Sequence, residues 1–303
     1  DLKIGYDHAR GDGWTLDGTL NGYRREGLAV GSVTLSGSGR IGRAGSGSFD
    51  KARAGGTVRF AATGIAATDP ALAEALGPEL AGRAVFFWQE GEPLRLPDFE
   101  LSGQGYGATG SAALTHPEAG TVLSGRVEAN VVDLGRFSAL AGRPLGGAGT
   151  LSVSGSGGLL SGIFDIEATL TGRELTVDQA EIDRLLEGES RIVLSAARDT
   201  TGITIRSFDL SAATLSLNAA GRLATGASNI RATLDFSDLS ALGPRYRGAL
   251  AGEARLTETG QTRTITFDAS GNGLGVGQPE IDRLLAGPAK LSLVASGQDG
   301  AFG

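Results

Sequence analysis

The sequence predicts a mostly β fold: an elongated, repetitive antiparallel sheet curled into a trough, β-taco-like, with one short amphipathic helix per repeat. Three observations predict it. Two identical six-mers, Glu181-Ile182-Asp183-Arg184-Leu185-Leu186 and Glu280-Ile281-Asp282-Arg283-Leu284-Leu285, lie 99 residues apart (280 minus 181) inside a longer matching frame. Apolar and polar residues alternate with period two almost everywhere, which is the mark of antiparallel strands covered on one side only. Glycine occupies 50 of 303 positions, with 9 prolines and no Gly-X-Y period, so collagen is excluded and many strands joined by glycine turns fit better.

The repeat can be followed element by element. Gly31 to Gly39 reads GSVTLSGSG and Gly149 to Gly157 reads GTLSVSGSG. A strand ending in glycine follows: Val58 to Gly64, Ile166 to Gly172 and Ile265 to Gly271. Next come a helical patch, a strand pair, and then Phe99-Glu100-Leu101-Ser102 or Phe208-Asp209-Leu210-Ser211. These frames place repeat copies at 23–123, 124–228 and 229–303, with 1–22 as the tail of a preceding copy and the third copy truncated. A solenoid-like array of this kind acts through an extended surface more readily than through one pocket.

Within the strands, Phe164-Asp165-Ile166-Glu167-Ala168-Thr169-Leu170 puts apolar residues on one face and Asp165, Glu167 and Thr169 on the other. The same pattern predicts roughly twenty strands of about five to eight residues. Val85-Phe86-Phe87-Trp88 is apolar on both faces and predicts a stretch covered on both sides. The helical patches have recognisable ends. Asp178 is placed as N-cap of 178–187 with Glu181 three residues on and Gly188 as the stop. Pro279 opens the third-copy helix and Gly287 ends it. Asp69-Pro70 opens the first, Leu72, Ala75 and Leu76 form its face, and Gly77 closes it. Asp133-Leu134 and Asp238-Leu239 mark two shorter, mutually equivalent patches. Helices this short need the sheet to hold them.

Chemistry-bearing motifs are sparse. The two histidines, His8 and His116, lie far apart in turn-like sequence (His116-Pro117), and no zinc-ligand or triad spacing occurs. Two G-x-G-x-x-G matches, at Gly37 and Gly105, open no helix, and about one is expected by chance at this glycine content. Glu181 and Asp183, like Glu280 and Asp282, read as a solvated helix face beside Arg184 and Arg283 and not as paired catalytic acids. Cysteine is absent, which removes disulfides and thiolate chemistry. A net charge of -7, with pI about 5.0, argues against nucleic acid and anionic membrane surfaces as partners. No cofactor and no metal site is expected, and an enzyme is the least favoured class.

The strand ending in glycine, the Glu-Ile-Asp-Arg-Leu-Leu helix, the strand pair and the Phe-acid-Leu-Ser strand together resemble the periplasmic repeat region of alphaproteobacterial TamB proteins, among the AsmA-like envelope proteins. The resemblance covers essentially the whole chain. It implies a periplasmic segment of a parent anchored in the inner membrane by an N-terminal segment absent here, with a β-taco groove lined by apolar side chains. It also implies a role in phospholipid transport between membranes and in outer-membrane biogenesis. The groove positions it maps onto this chain are Val58, Phe60, Leu94, Leu96, Phe99, Leu101, Ile166, Leu170, Ile192, Leu194, Ile203, Ile205, Phe208, Leu210, Ile265, Phe267, Leu291 and Leu293. Phospholipid acyl chains are the expected ligand. Outer-membrane assembly machinery of the TamA/BamA-like kind is the implied partner, through a C-terminal region not in this sequence. The alternatives are a scaffold for the insertion of outer-membrane β-barrel proteins and a passive adhesin-like or stalk-like array.

Overall fold

The structure is a computed structural model that describes residues 1–9, 11–44, 51–116, 120–158, 161–298 and 301–302. Pro117, next to His116, falls outside these. Strand makes up 68% of the chain, and the fold is mostly β, antiparallel and not closed into a barrel, with a few short helices, as the sequence predicts. The chain divides into two compact units, Asp1–Leu145 with Gly149–Ser161, and Gly146–Ala148 with Gly162–Gly303.

The first unit holds β1 (Leu2–Asp7), β2 (Gly13–Arg25), β3 (Leu28–Ala44), β4 (Lys51–Ala67), α1 (Pro70–Leu76), β5 (Glu79–Gln89), β6 (Leu94–Gly103), β7 (Tyr106–Thr115), β8 (Val122–Val131), a 3-10 turn (Leu134–Phe137), α2 (Ser138–Ala141) and most of β9 (Gly146–Gly158). Each strand pairs antiparallel with the next in sequence. In such a meander every connection from an even strand to an odd one falls at the same edge. The helices α1 and α2 both occupy such connections, so they meet there. The Tyr106 hydroxyl donates to the Leu76 carbonyl at 3.0 Å, and the Arg136 guanidinium lies 4.6 Å over the Tyr106 ring. Asp69 caps α1 by accepting from the Ala71 and Leu72 amides, and Gly77 ends it with φ 71°. Asp133 caps the 3-10 turn in the same way, through Gly135.

The second unit repeats the plan with β10 (Phe164–Thr176), α3 (Ala180–Leu185), β11 (Glu189–Asp199), β12 (Gly202–Ser211), β13 (Leu215–Leu223), β14 (Asn229–Phe236), a 3-10 turn (Leu239–Leu242), β15 (Arg247–Thr259), β16 (Thr262–Gly275), α4 (Pro279–Leu285), β17 (Ala289–Gln298) and β18 (Ala301–Phe302). Its helices also line one edge. The Arg184 guanidinium donates to the Leu242 carbonyl at 2.9 Å, so α3 is tied to the 3-10 turn. Leu175, Leu185, Leu186 and Leu274 are buried along this edge.

The six-mer's acid has a structural task here. Asp183 accepts the Val177 amide at 2.7 Å and Asp282 accepts the Val276 amide at 2.7 Å, in matching positions. This corrects two expectations. Asp183 and Asp282 are clasps on the preceding loop and not members of a solvated acidic face. Asp178 is not the N-cap: Gln179 holds that position without a side-chain bond, and Asp178 adopts φ 62°. With the Val177 amide satisfied from inside the helix, residue 178 is used to turn the chain.

The strands are also longer than expected. β3 and β4 each run 17 residues, and β2, β9, β10 and β15 run 13. Glycines read as punctuation are instead mid-strand. Trp14 lies flat across the sheet, its indole N–H donating to the Gly55 carbonyl at 3.2 Å and its ring 5.9 Å from Phe86. Gly39 and Gly56 sit beneath it, where any Cβ would collide with the indole or with the neighbouring backbone. Phe60 covers Gly82 in the same manner. Such aromatic-over-glycine pairs recover packing that glycine alone loses. Val85 to Trp88 is likewise not covered on both sides: Phe87 is 40% and Trp88 39% exposed. Phe86 and Trp88 share the apolar face, while Val85 and Phe87 point the other way, where Phe87 lies against Gly55.

A substitution pair in β3 tests this packing. Gly39→Ala should destabilise the protein by about 1–3 kcal/mol in urea denaturation, because the sheet must deform to admit the methyl group. Gly42→Ala, whose Cβ would meet only the Arg53 side chain at 3.6 Å, should be close to neutral. Equal effects at both sites would contradict the role given to the Trp14 platform.

Candidate functional site

Strand register decides which side chains share a face, because directly opposed residues in an antiparallel pair point the same way. In the first unit Val58 opposes Ala84, which opposes Phe99, then Gly110, Val127 and Val153. The same row continues from Val58 the other way through Gly37 to Leu16. A second runs Leu35, Phe60, Gly82, Leu101, Ala108, Ala129 and Leu151. Leu94 and Leu96 oppose Leu114 and Ala112 and fall on this same face. The opposite face carries Thr57, Arg59, Arg83, Asp98, Glu100, Thr109, Arg126 and Glu128.

The second unit has the same division. Leu170, Ile192, Leu210, Leu217, Leu234, Gly252, Ala269 and Leu291 form one row. Ala168, Leu194, Phe208, Ala219, Ala232, Ala254, Phe267 and Leu293 form the next. Ile166 stands in register with Ala196, Ile205 and Gly221, and Ile265 with Leu256 and Ile230. Every groove position inferred from sequence therefore lies on the apolar face of its own unit. Trp14, Leu16, Leu35, Val127, Ile230 and Leu256 belong to those faces as well. Period two in β2, β3 and β8 signals several of them, but glycine and alanine neighbours dilute it.

Two β-bulges preserve this sorting. The candidates change parity between Leu96 and Phe99 and between Ile205 and Phe208, and each change coincides with a register shift. Without the extra residues, half of each strand would turn its apolar side chains outward. Bulges also add twist and bend. The second bulge is stitched on the polar face: Arg206 donates to Asp165 at 2.6 Å and to the Ser195 hydroxyl at 2.7 Å, spanning three strands.

The apolar faces are only partly covered. No side chain in the described residues is fully buried, and Leu20, Ile41, Trp88, Leu123, Leu151, Leu223 and Leu293, all on the apolar faces, are among the exposed large hydrophobics. The chain exposes 18377 Å², whereas two separate globular units sharing its 30.7 kDa would expose about 14,000 Å². Alternation still leaves one face less exposed than the other, as in β15, where exposed and half-buried positions alternate residue by residue.

Two hollows, of about 760 and 360 Å³, open instead on the polar faces, between rows such as Asn218, Thr233, Glu253 and Asp268, or Glu100, Thr109 and Glu128. They are surface depressions between charged side chains. At the β1–β2 turn, Asp12 accepts from the Tyr6 hydroxyl at 2.7 Å and lies 2.5 Å from the His8 ring. The His8 side chain is 84% exposed, and this cluster closes the turn. Among the described residues no group of three or more His, Cys, Asp and Glu is arranged to hold a metal ion, and no helix is long and apolar enough to cross a membrane.

No protein-family model matches this chain, and neither a curated protein nor a solved structure matches it.

The hydrogen-bonded carboxylates contribute a pH dependence. Hydrogen bonding from Arg206 holds Asp165 below its ordinary carboxylate value of 3.8; Thr201 does the same for Asp199; and Ser228, with help from Arg263, lowers Glu258 below 4.5. Lowered folded-state values stabilise the fold above the ordinary carboxylate range, and that contribution is lost as pH falls through the lowered values. The urea midpoint should therefore stay level from neutral pH down to about 5 and drop as pH falls below the ordinary carboxylate range. Asp165→Asn should shrink the drop. An unchanged profile in that variant would show that the Arg206 stitch contributes nothing to folding.

Proposed function

We propose that the apolar face of each unit holds phospholipid acyl chains, and that the chain is a segment of a TamB-like, AsmA-like envelope protein carrying lipid between inner and outer membranes through the periplasm. It acts by binding and guiding a ligand, with no catalytic step. The observation that carries this reading is the register: strand after strand places Leu, Ile, Val, Phe, Ala and Gly on one face of each unit that no second layer of side chains among the described residues fully covers.

An acyl chain gains about 0.8 kcal/mol for each methylene removed from water, and it asks for no hydrogen bonds in return. A face built of aliphatic side chains and glycine offers many nearly equal positions along its rows, so a chain can slide without meeting a deep trap. Polar headgroups stay in water at the sheet edge. The resemblance in the repeat motifs supplies the envelope setting and the phospholipid, and the apolar faces supply the physical means.

The reading is tested by mass spectrometry of lipids that co-purify with the folded protein from a bacterial host. The wild type should carry phospholipid. Ile166→Asp and Phe267→Asp should carry about tenfold less while keeping a β-rich circular dichroism spectrum, since a buried unpaired carboxylate opposes an acyl chain strongly. A folded wild type free of lipid, or folded variants loaded as fully as the wild type, would remove the acyl-chain reading.

A further inference from the structure

The edge of the second unit opposite its helices is where the apolar face meets charge. Arg198 stands on the apolar face, in register with Phe164 on one side and Ile203 on the other. Beside it opens a cavity of about 540 Å³ lined by Arg198, Ile203, Leu223, Ser228, Glu258 and Arg263 among others. It therefore has an apolar floor, Ile203 and Leu223, continuous with the rows described above, and a charged rim.

The rim carries Arg198 and Arg263 with Asp199 and Glu258, and both of its acids are already engaged. The Glu258 side chain is only 10% exposed and is held by Arg263 at 3.3 Å and by the Gly226 amide at 3.4 Å. Asp199 accepts from the Thr201 amide at 2.7 Å and the Gly202 amide at 2.9 Å and pairs with Arg222 at 3.6 Å. Both carboxylates are thus matched by an arginine. Arg222, outside the cavity lining, takes up Asp199, and Arg263 takes up Glu258, so Arg198 is left without an ion pair among the described residues. The fold does not demand it: the equivalent inward position is Trp88 on β5 and Gly297 on β17.

We infer that this mouth binds the anionic headgroup of an amphiphile whose tail lies on the apolar face, with Arg198 as the headgroup contact and Arg263, fixed by Glu258, as its neighbour. The chemistry selected is a phosphate-type anion joined to an alkyl chain. Guanidinium provides paired N–H donors for such oxygens, and a charge-assisted bond beside an apolar floor is stronger than one in open water. The inference rests on the acyl-chain reading of the apolar face and adds to it a headgroup preference and a fixed orientation, head at the loop edge and tail toward the helices.

The experiment is calorimetric titration of the full chain with three probes below their micelle concentrations: dodecyl phosphate, dodecyl maltoside and inorganic phosphate. The wild type should prefer dodecyl phosphate over the maltoside by about five- to tenfold, and inorganic phosphate alone should give no measurable binding. In Arg198→Ala that preference should collapse to near one, in Arg198→Lys much of it should return, and Arg231→Ala, on the polar face of β14, should keep the wild-type ratio. Persistence of the preference in Arg198→Ala overturns the headgroup assignment and leaves the apolar-face reading standing, as does equal wild-type affinity for the two amphiphiles. Tight binding of inorganic phosphate alone would show an anion site independent of any tail. Binding of neither amphiphile overturns the apolar-face reading together with the assignment built on it.

Discussion

The antiparallel register is the constraint from which the rest follows. A strand places alternate side chains on opposite faces, so one slipped residue would carry leucines into water and arginines into the apolar rows. Each unit avoids this over strand after strand, and at the two places where the sequence changes phase it inserts a bulge. Because the strands pair only with neighbours in sequence, the sorting produces one apolar face and one polar face within a single layer. Within each unit no second sheet among the described residues interdigitates to bury the apolar side, and helices of four to seven residues at one edge are too small to cover it.

That architecture changes what stabilises the chain. With few deeply buried side chains, cohesion comes from the backbone ladder, from aromatic rings laid over glycine, and from clasps along the helical edge. The clasps are specific. Asp183 and Asp282 hold their own preceding loops, while Arg184 reaches a carbonyl of the next helical turn, so one six-residue motif closes a connection and ties it to its neighbour. Glycine on the apolar face has two effects: it admits Trp14 and Phe60 flat against the sheet, and it leaves room on that side for the sheet to bend. A sheet face that is apolar, partly open and lined with small residues suits a flexible hydrocarbon better than a rigid, hydrogen-bonding ligand.

Much of this was legible in the chain. Period-two alternation identified the strands, and Ile203 with Ile205 against Phe208 with Leu210 even announced the bulge through its change of parity. Asp69-Pro70, Pro279 and the Asp-Leu pairs marked their helical turns correctly because capping is a local interaction. What the sequence concealed depends on neighbours distant along the chain. Nothing near Gly39 or Gly56 in the sequence announces that Trp14 will lie above them. Asp178 looked like a cap because Asp183, five residues on, reaches back unseen to the Val177 amide. Arg198 continues the alternation of Ile192, Leu194 and Ala196, so its inward position was written in the pattern. Its significance emerged only when Asp199, Glu258 and their partners were seen to be matched without it.

The central claim is that the apolar face, and that face alone, receives hydrocarbon. The chain has no cysteine, so single cysteines can be placed along β13 and labelled with a fluorophore without background. Quenching by a bromine-bearing alkyl detergent, read at 215 through 220, should rise and fall with period two, strong at Leu215, Leu217 and Ala219 and weak at Ser216, Asn218 and Ala220. Uniform quenching along the strand, or quenching strongest at the polar positions, would contradict the account.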